Sequence, residues 1–176
     1  MAEMTLNLAN KERAQRKTLI TVAEWTPADG TEPVREILGA RTEDSSIEFN
    51  ADIATSTDIL GVTYTDVNKT EPQQSFDPFF LLGGSKLGEY LVGAALENRI
   101  NDYNGKFNVY IIAAFINDGA SATKYMAVKH SGCSIIPTSM GGDAYVSMPI
   151  EVYYSNDITK GSVDKLADDF VFTAAE

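Results

Sequence analysis

The residue types best suited to chemistry are scarce in this sequence of 176 residues, which has one histidine and one cysteine. His130 and Cys133 stand three residues apart. A metal site needs three or four converging ligands, so carboxylates would have to complete this pair. A nucleophilic cysteine would need a third group to orient the histidine, and the sequence suggests none. We interpret the pair as two ordinary strand residues and expect neither a metal nor another cofactor.

Gly83-Gly84-Ser85-Lys86 precedes an apolar segment with helical spacing and looks in outline like a phosphate-binding loop. In a P-loop, however, the lysine comes before the Ser or Thr, whereas here the order is reversed. We therefore interpret the glycines as the hinge and cap of a helix.

Carboxylates are abundant, because 25 Asp and Glu face 14 Lys and Arg, which gives a net charge of −11. A glycosidase needs two carboxylates across a cleft, and nothing in the sequence selects such a pair. The chain also lacks the clustered Lys and Arg that binding nucleic-acid phosphates requires. These observations favour a structural protein over an enzyme.

Length and composition predict one globular domain. The single cysteine excludes an internal disulfide and fits a reducing compartment. The N-terminus has no apolar segment of the kind found in secretory signals. No apolar run approaches the 18 residues that indicate a transmembrane helix.

Period-2 alternation is the main structural signal. It is cleanest over residues 46–53, where Ile47, Phe49, Ala51 and Ile53 alternate with Glu48, Asn50 and Asp52. Such a strand packs one face and leaves the other in water. Further strands are predicted at 18–25, 56–65, 106–116, 123–137 (bent near Gly132) and 144–155. So many closely spaced strands predict a mainly β protein, an antiparallel β-sandwich or barrel with one flanking α-helix.

The flanking helix is predicted at about 85–98. Ser85 suits the N-cap position. An apolar stripe follows at helical spacing, formed by Leu87, Tyr90, Leu91, Ala94 and Ala95. The predicted organisation is an N-terminal arm over 1–17, a β-sandwich domain over 18–155 and a C-terminal arm over 156–176.

Residues 66–84 are predicted to form a long loop, because prolines and glycines interrupt every pattern there. The stretch is nevertheless rich in apolar side chains, namely Phe76, Phe79, Phe80, Leu81 and Leu82. Long loops in compact domains are usually functional. This much apolar surface has to be buried, either over its own domain or on a neighbouring subunit.

Residues 61–74 (GVTYTDVNKTEPQQ) resemble a segment of the major tail proteins, also called tail tube proteins, of siphophages that infect Gram-positive bacteria. Asp77-Pro78 and residues 83–90 resemble the same family, as do 127–130, 141–143 and 163–166. The likeness spans roughly residues 35–172. It contains one distinctive segment and no catalytic signature.

The resemblance implies a sandwich or barrel-like subunit that assembles as stacked hexameric rings into a hollow tail tube. Strands from neighbours would complete a barrel around a lumen, through which DNA passes without specific binding during ejection into the host. Long loops and terminal arms would bridge the rings. The partners would be other copies, the tape measure protein and other tail proteins. The location would be the tail of a virion that is assembled in the host cytoplasm.

Two sets of candidate residues follow. The wet face formed by Glu48, Asn50 and Asp52 would line the lumen, or alternatively would face the solvent outside. The candidates for contacts between subunits lie in the predicted loop and are Asn68, Pro72, Phe76, Phe79, Phe80 and Leu82.

Two other classes of protein stay open. One is a different virion or injection-device structural protein, such as the tube of a contractile system or a head–tail completion protein. The other is a carbohydrate-binding or hydrolytic β-sandwich.

Overall fold

The structure is a computed structural model that describes residues 5–27, 30, 32–42, 44–118 and 121–175. Over these residues an antiparallel sheet curls into a half-barrel, and one α-helix flanks it. The predicted mainly β fold is confirmed. The helix is α1 (Lys86–Leu96), and the strands are β1 (Thr5–Leu6), β2 (Leu19–Trp25), β3 (Val34–Ile37), β4 (Ile47–Glu48), β5 (Ala51–Thr57), β6 (Thr63–Thr70), β7 (Gln73–Phe76), β8 (Phe107–Asp118), β9 (Ser121–Pro137), β10 (Ile150–Tyr153), β11 (Ile158–Val163) and β12 (Phe172–Ala174).

The main sheet has the strand order β3-β2-β8-β9-β10-β7-β4. Strand β1 adds to β8, β11 adds to β9, and β12 adds to β11. The long strand β9 changes partner along its length, because residues 125–130 pair with β11 and residues 134–137 pair with β10. Between these two parts lies Gly132, with a φ of +76° that favours glycine, beside a register shift against β8. The bend predicted near Gly132 therefore coincides with an irregularity where β9 changes its pairing partner.

The larger core lies between the sheet and α1. Ser85 caps the helix by accepting a hydrogen bond from the Gly88 amide at 3.0 Å, as predicted. Leu87 and Leu91 of the predicted stripe are fully buried. Tyr90 packs edge-on against Phe107 of β8, with ring centroids 6.0 Å apart. The helix is therefore held by tertiary packing of its apolar face, as is usual for a helix of this length.

A second core cluster includes the C-terminal segment. Strand β11 pairs with β9 over six residues. Val163 and Phe170 are buried against Tyr110 and Ile112 of β8. The prediction of a C-terminal arm over 156–176 is therefore wrong for most of that segment. The reason is that β9 extends beyond β10, and its first half would be an exposed sheet edge without β11.

The predicted N-terminal arm lies on the surface where it is described. Strand β1 pairs with the far end of β8, and residues 6–17 are exposed except for half-buried Leu8. Residues 1–4 lie outside the described residues.

Three strand predictions need correction. The strand predicted over 56–65 is a turn at residues 58–62, and only its ends belong to β5 and β6. The strand over 46–53 is interrupted at Asn50, whose φ is +42°. Its apolar residues therefore do not share a packed face: Ile47 packs against the core, whereas Phe49 and Ile53 are exposed. The strand predicted over 144–155 is formed only from Ile150 to Tyr153, and residues 138–146 are all exposed.

The predicted loop over 66–84 is also wrong in part, because it contains most of β6 and all of β7. Strand β7 lies between β10 and β4, so alternate side chains, Gln74 and Phe76, point into the core. Pro72 stands just before β7, where its missing N–H costs no ladder hydrogen bond. Its carbonyl accepts a hydrogen bond from the Tyr154 amide at 3.0 Å.

None of the described helices has both the length and the apolar character that crossing a membrane requires.

Candidate assembly interface

A two-stranded hairpin, formed by β5 and β6, stands apart from the core. In the described part of the chain these strands pair with each other alone. Every residue from Glu48 to Glu71 is exposed except the half-buried Asp58. An isolated two-stranded hairpin is at best marginally stable in water. A surface of this shape is therefore suited to packing against another molecule.

The two faces of the hairpin differ in chemistry. Residues opposite each other in an antiparallel pair point to the same face. The apolar face carries the pairs Ile53–Val67, Thr55–Thr65 and Thr57–Thr63, and the polar face carries Asp52–Lys69, Ala54–Asp66 and Ser56–Tyr64. The hairpin is therefore amphipathic although water reaches both of its faces.

The hairpin tip, residues 58–62, is held in shape by Asp58. One carboxylate oxygen accepts hydrogen bonds from the amides of Leu60 at 2.8 Å and Val62 at 3.0 Å. The other accepts one from the Tyr64 hydroxyl at 3.2 Å. The hydrogen bond from the Val62 amide, supported by the Leu60 amide, lowers the pKa of Asp58. The tip is therefore ordered through the carboxylate form of one side chain.

The same turn presents aliphatic side chains to solvent. Ile59 is fully exposed, Leu60 is 82% exposed, and Val62 is also exposed. Adjacent large apolar side chains that are this exposed mark an interaction site more often than isolated ones do.

The predicted lumen residues do not share one strand face. Glu48 ends β4 and accepts a long hydrogen bond from Gln73, at 3.4 Å. Asn50 forms the break before the hairpin, and its side chain donates to the Glu71 carbonyl at 3.2 Å. Asp52 lies on the polar face of the hairpin. All three are exposed, but the regular alternation that grouped them is broken at Asn50.

The candidates for contacts between subunits separate into two groups. Phe76 and Phe79 are 1% and 6% exposed and belong to this chain's own core. For these two the prediction is corrected, because β7 and the segment after it close over the domain itself. Phe80 is half-buried and bridges to Ser147. Of the remaining candidates, Asn68 on the hairpin and Leu82 near α1 are exposed, and Pro72 at the base of the hairpin is half-buried.

A buried polar network that the sequence did not reveal connects β2 to β7, two strands that are not neighbours in the sheet. Gln74 is 1% exposed, and its side-chain oxygen accepts hydrogen bonds from Thr21 at 3.0 Å and Tyr154 at 2.5 Å. Its amide nitrogen donates to Ser45 at 3.0 Å. Arg16 donates to the Ser45 carbonyl at 2.7 Å. These bonds satisfy groups that would otherwise be costly to bury.

A second network attaches the C-terminal segment to the sheet. Arg35 donates to the Glu24 carboxylate at 2.5 Å and to the Phe170 carbonyl at 2.6 Å. Its guanidinium also lies 4.5 Å from the centroid of the Phe170 ring. Burial raises the pKa of Glu24, but hydrogen bonds from Asn108 and Arg35 outweigh it and bring the pKa below the ordinary value.

His130 and Cys133 are buried residues of β9. The His130 ring lies with Nδ1 2.8 Å from the Ser155 carbonyl oxygen and packs edge-on against Tyr154. Cys133 is fully buried, and this burial raises the pKa of its thiol. Across the described residues, no group of three or more His, Cys, Asp or Glu side chains could hold a metal ion.

The start of α1 is filled by one of this chain's own carboxylates. Glu36 of β3 accepts hydrogen bonds from the Ser85 hydroxyl at 2.6 Å and the Leu87 amide at 3.0 Å. A carboxylate is favoured at the positive end of a helix. Glu36 therefore occupies the position that a bound phosphate would need, which agrees with the interpretation of Gly83 and Gly84 as a hinge and cap.

No protein-family model matches the chain, and no curated protein matches it. Solved structures of contractile injection systems show a loose likeness. A chain in a structure of the anti-feeding prophage cap, which terminates the tube, is 13% identical, with 87% of this chain and 93% of that chain covered and a TM-score of 0.43. A chain of the anti-feeding prophage baseplate is 13% identical, with 87% and 97% covered and a TM-score of 0.47. A chain of the PVC sheath–tube complex is 12% identical, with 88% of each chain covered and a TM-score of 0.40. These values are too low to assign the chain to a family or to decide its function.

Proposed function

We propose that this chain is a structural subunit that polymerises into the tail tube of a phage or phage-like particle. The observation that carries this proposal is the exposed β5–β6 hairpin, whose strands pair with each other alone among the described residues. The sequence resemblance of residues 61–74 supports the finer assignment. On that basis the subunits form stacked, hexameric rings of a siphophage tail tube and enclose a conduit for DNA.

The hairpin has the size and composition of one side of a protein interface. A standard interface uses about 20–30 residues from each partner, and the exposed stretch from Glu48 to Glu71 is of that length. Its apolar face offers Ile53, Val67 and four threonines, and its tip offers Ile59 and Leu60. Burying such a surface on another copy supplies the packing that an isolated hairpin lacks.

The half-barrel also leaves strands at its edges. Among the described strands, β3 and β4 end the main path of the sheet. Edge strands invite pairing with another chain, and closure into a larger barrel removes them. A ring of copies is one arrangement that covers these edges and encloses a lumen.

The acidic charge suits a conduit. The chain carries a net charge of −11, and Glu48, Asn50 and Asp52 are exposed near the base of the hairpin. A wall that bound phosphates tightly would retard a moving duplex, because phosphate binding depends on Lys and Arg. In our proposal these three residues face the lumen and leave the DNA free to move.

Removing the hairpin tests the proposal. A variant in which residues 51–70 are replaced by an Asn-Gly turn keeps β4 and β7 and every buried core residue. We expect this variant to unfold at the wild-type temperature and to stay monomeric in sedimentation velocity at concentrations where the wild type polymerises. A variant with Ala54→Thr on the polar face is the matched control and should polymerise normally. Polymerisation of the deletion variant at the wild-type concentration would refute the proposed role of the hairpin.

A further inference from the structure

A second apolar surface lies on the loops beside β10. This loop patch consists of Leu82, Met140, Tyr145 and Val146, all of them exposed, with Tyr145 at 78%. Hydrogen bonds hold its two segments together. The Leu81 amide donates to the Val146 carbonyl at 3.4 Å, and the Met148 amide donates to the Phe79 carbonyl at 2.8 Å. The loop patch is therefore a formed surface rather than a set of separate loops.

The hairpin and the loop patch lie at opposite ends of one strand pair. In the antiparallel register of β7 and β10, Gln73 faces Tyr153 at one end and Phe76 faces Ile150 at the other. The hairpin leaves the sheet just before Gln73. The segments that form the loop patch follow Phe76 and precede Ile150. One copy thus presents different apolar surfaces at its two ends.

Building on the proposed polymerisation, we infer that the loop patch of one copy receives the hairpin tip of a second copy. Two different surfaces at opposite ends form a heterologous, head-to-tail contact, which propagates along an assembly or closes a ring. A tip-to-tip contact would instead be isologous and would stop at a dimer. The head-to-tail contact thus fits a polymer, whereas the isologous one does not.

Charge and size agree with this pairing. Copies with a net charge of −11 repel each other, so contacts between them favour surfaces with few charges. The hairpin tip (residues 58–62) carries only Asp58, whose carboxylate bonds to amides of the tip itself, and residues 138–146 carry only Asp143. The tip belongs to the exposed hairpin, which has as many residues as one side of a standard interface. Tyr145 offers the kind of aromatic side chain that anchors many interfaces.

Disulfide trapping tests the contact, because Cys133 is the only native cysteine and is buried. Chains with Leu60→Cys and chains with Val146→Cys, distinguished by a mass tag, are mixed, assembled and oxidised. We expect the oxidised polymer to contain disulfide-linked pairs made of one chain of each kind. As a matched control, Leu96→Cys replaces another exposed aliphatic residue, at the end of α1, and should not cross-link to Leu60→Cys.

Several outcomes would overturn the inference. If polymer forms but no disulfide joins the cysteines introduced at positions 60 and 146, the receiving surface lies elsewhere and the proposed function stands. A disulfide between two Leu60→Cys chains, or efficient cross-linking of the Leu96→Cys control to Leu60→Cys, would also show that the receiving surface lies elsewhere. Failure of the wild-type chain to polymerise would overturn both proposals.

A second measurement does not depend on cysteines. Tyr145→Ser with Val146→Ser should raise the critical concentration for assembly at least tenfold, without changing the unfolding temperature. Combining these changes with Leu60→Ser should raise it by less than the product of the separate effects, because contacting residues are not additive. Fully multiplicative effects would contradict direct contact.

Discussion

The tip of the hairpin offers the sharpest test of the assembly proposal, because two adjacent aliphatic side chains are exposed there. Ile59→Ser with Leu60→Ser removes the apolar part of the tip. Asp58 accepts its hydrogen bonds from the amides of Leu60 and Val62 and from the Tyr64 hydroxyl, so the turn should keep its shape. The change therefore tests the contact between copies and should leave the fold of each copy intact.

The size of the effect follows from burial. Fully burying an Ile or Leu side chain stabilises by about 1.5–3 kcal/mol. Ile59 is fully exposed and Leu60 nearly so, which gives about 3–6 kcal/mol for both side chains if assembly buries them. Since 1.4 kcal/mol corresponds to a factor of ten, the critical concentration should rise by about 100-fold or more. The costs of ordering the interface place the expected value towards the lower end of this range.

The assay is the protein concentration left in the supernatant after ultracentrifugation of assembled material. The matched control is Leu96→Ser with Ile100→Ser, which removes two exposed aliphatic side chains from the end of α1 and the turn after it. We expect the control to assemble at the wild-type concentration. If the tip variant does so as well, or if both variants lose assembly equally, the tip is not the contact.

Three further predictions follow from other groups. Asp58→Asn should loosen the tip and slow assembly while leaving the unfolding temperature unchanged. The folded-state pKa of Asp58 is lowered, so its support of the tip is present above the ordinary pKa near 3.9 and is lost as the pH falls through the folded-state pKa. Wild-type assembly should therefore weaken in acid. An Asp58→Asn variant that assembles at the wild-type rate would contradict this. Arg35→Met should lower the free energy of unfolding in urea by about 3 kcal/mol, because it leaves the buried Glu24 carboxylate without its cation; a change near zero would show that the pair is not needed for stability. Glu48→Lys with Asp52→Lys should leave tube assembly intact but impair DNA passage in a phage infectivity assay, and full infectivity would remove both residues from the lumen.

Local signals predicted the helix and the fold class well. Ser85 and the stripe of Leu87 and Leu91 lie within one short segment, so neither feature depends on the tertiary arrangement. The long strands β8 and β9 contain many β-branched and aromatic residues, which favour strands. These features decide secondary structure before any packing partner is known.

The hairpin could not be recognised in the same way. Strand β6 exposes both faces, so it lacks the apolar alternation that marks a half-buried strand. Asn50 interrupts an otherwise regular pattern through a backbone angle, φ +42°, which residue types do not reveal. The most informative surface of the molecule is thus the one whose sequence signal is weakest.

The sequence alone did not decide where the phenylalanines of the predicted loop are buried. An apolar side chain after a strand can pack on its own domain or on a neighbour, and the choice depends on where the sheet lies. Phe76 and Phe79 are buried because β7 pairs with β10 and brings them under α1. The Gln74 network was unpredictable for the same reason, because its partners Thr21 and Tyr154 are distant in sequence.

Electron microscopy of the purified chain at increasing concentration tests the central claim most directly. The account predicts rings or hollow tubes whose reconstruction places residues 48–71 of each copy against a neighbouring copy. A chain that remains a monodisperse monomer at high concentration, with the hairpin free in solution, would contradict it.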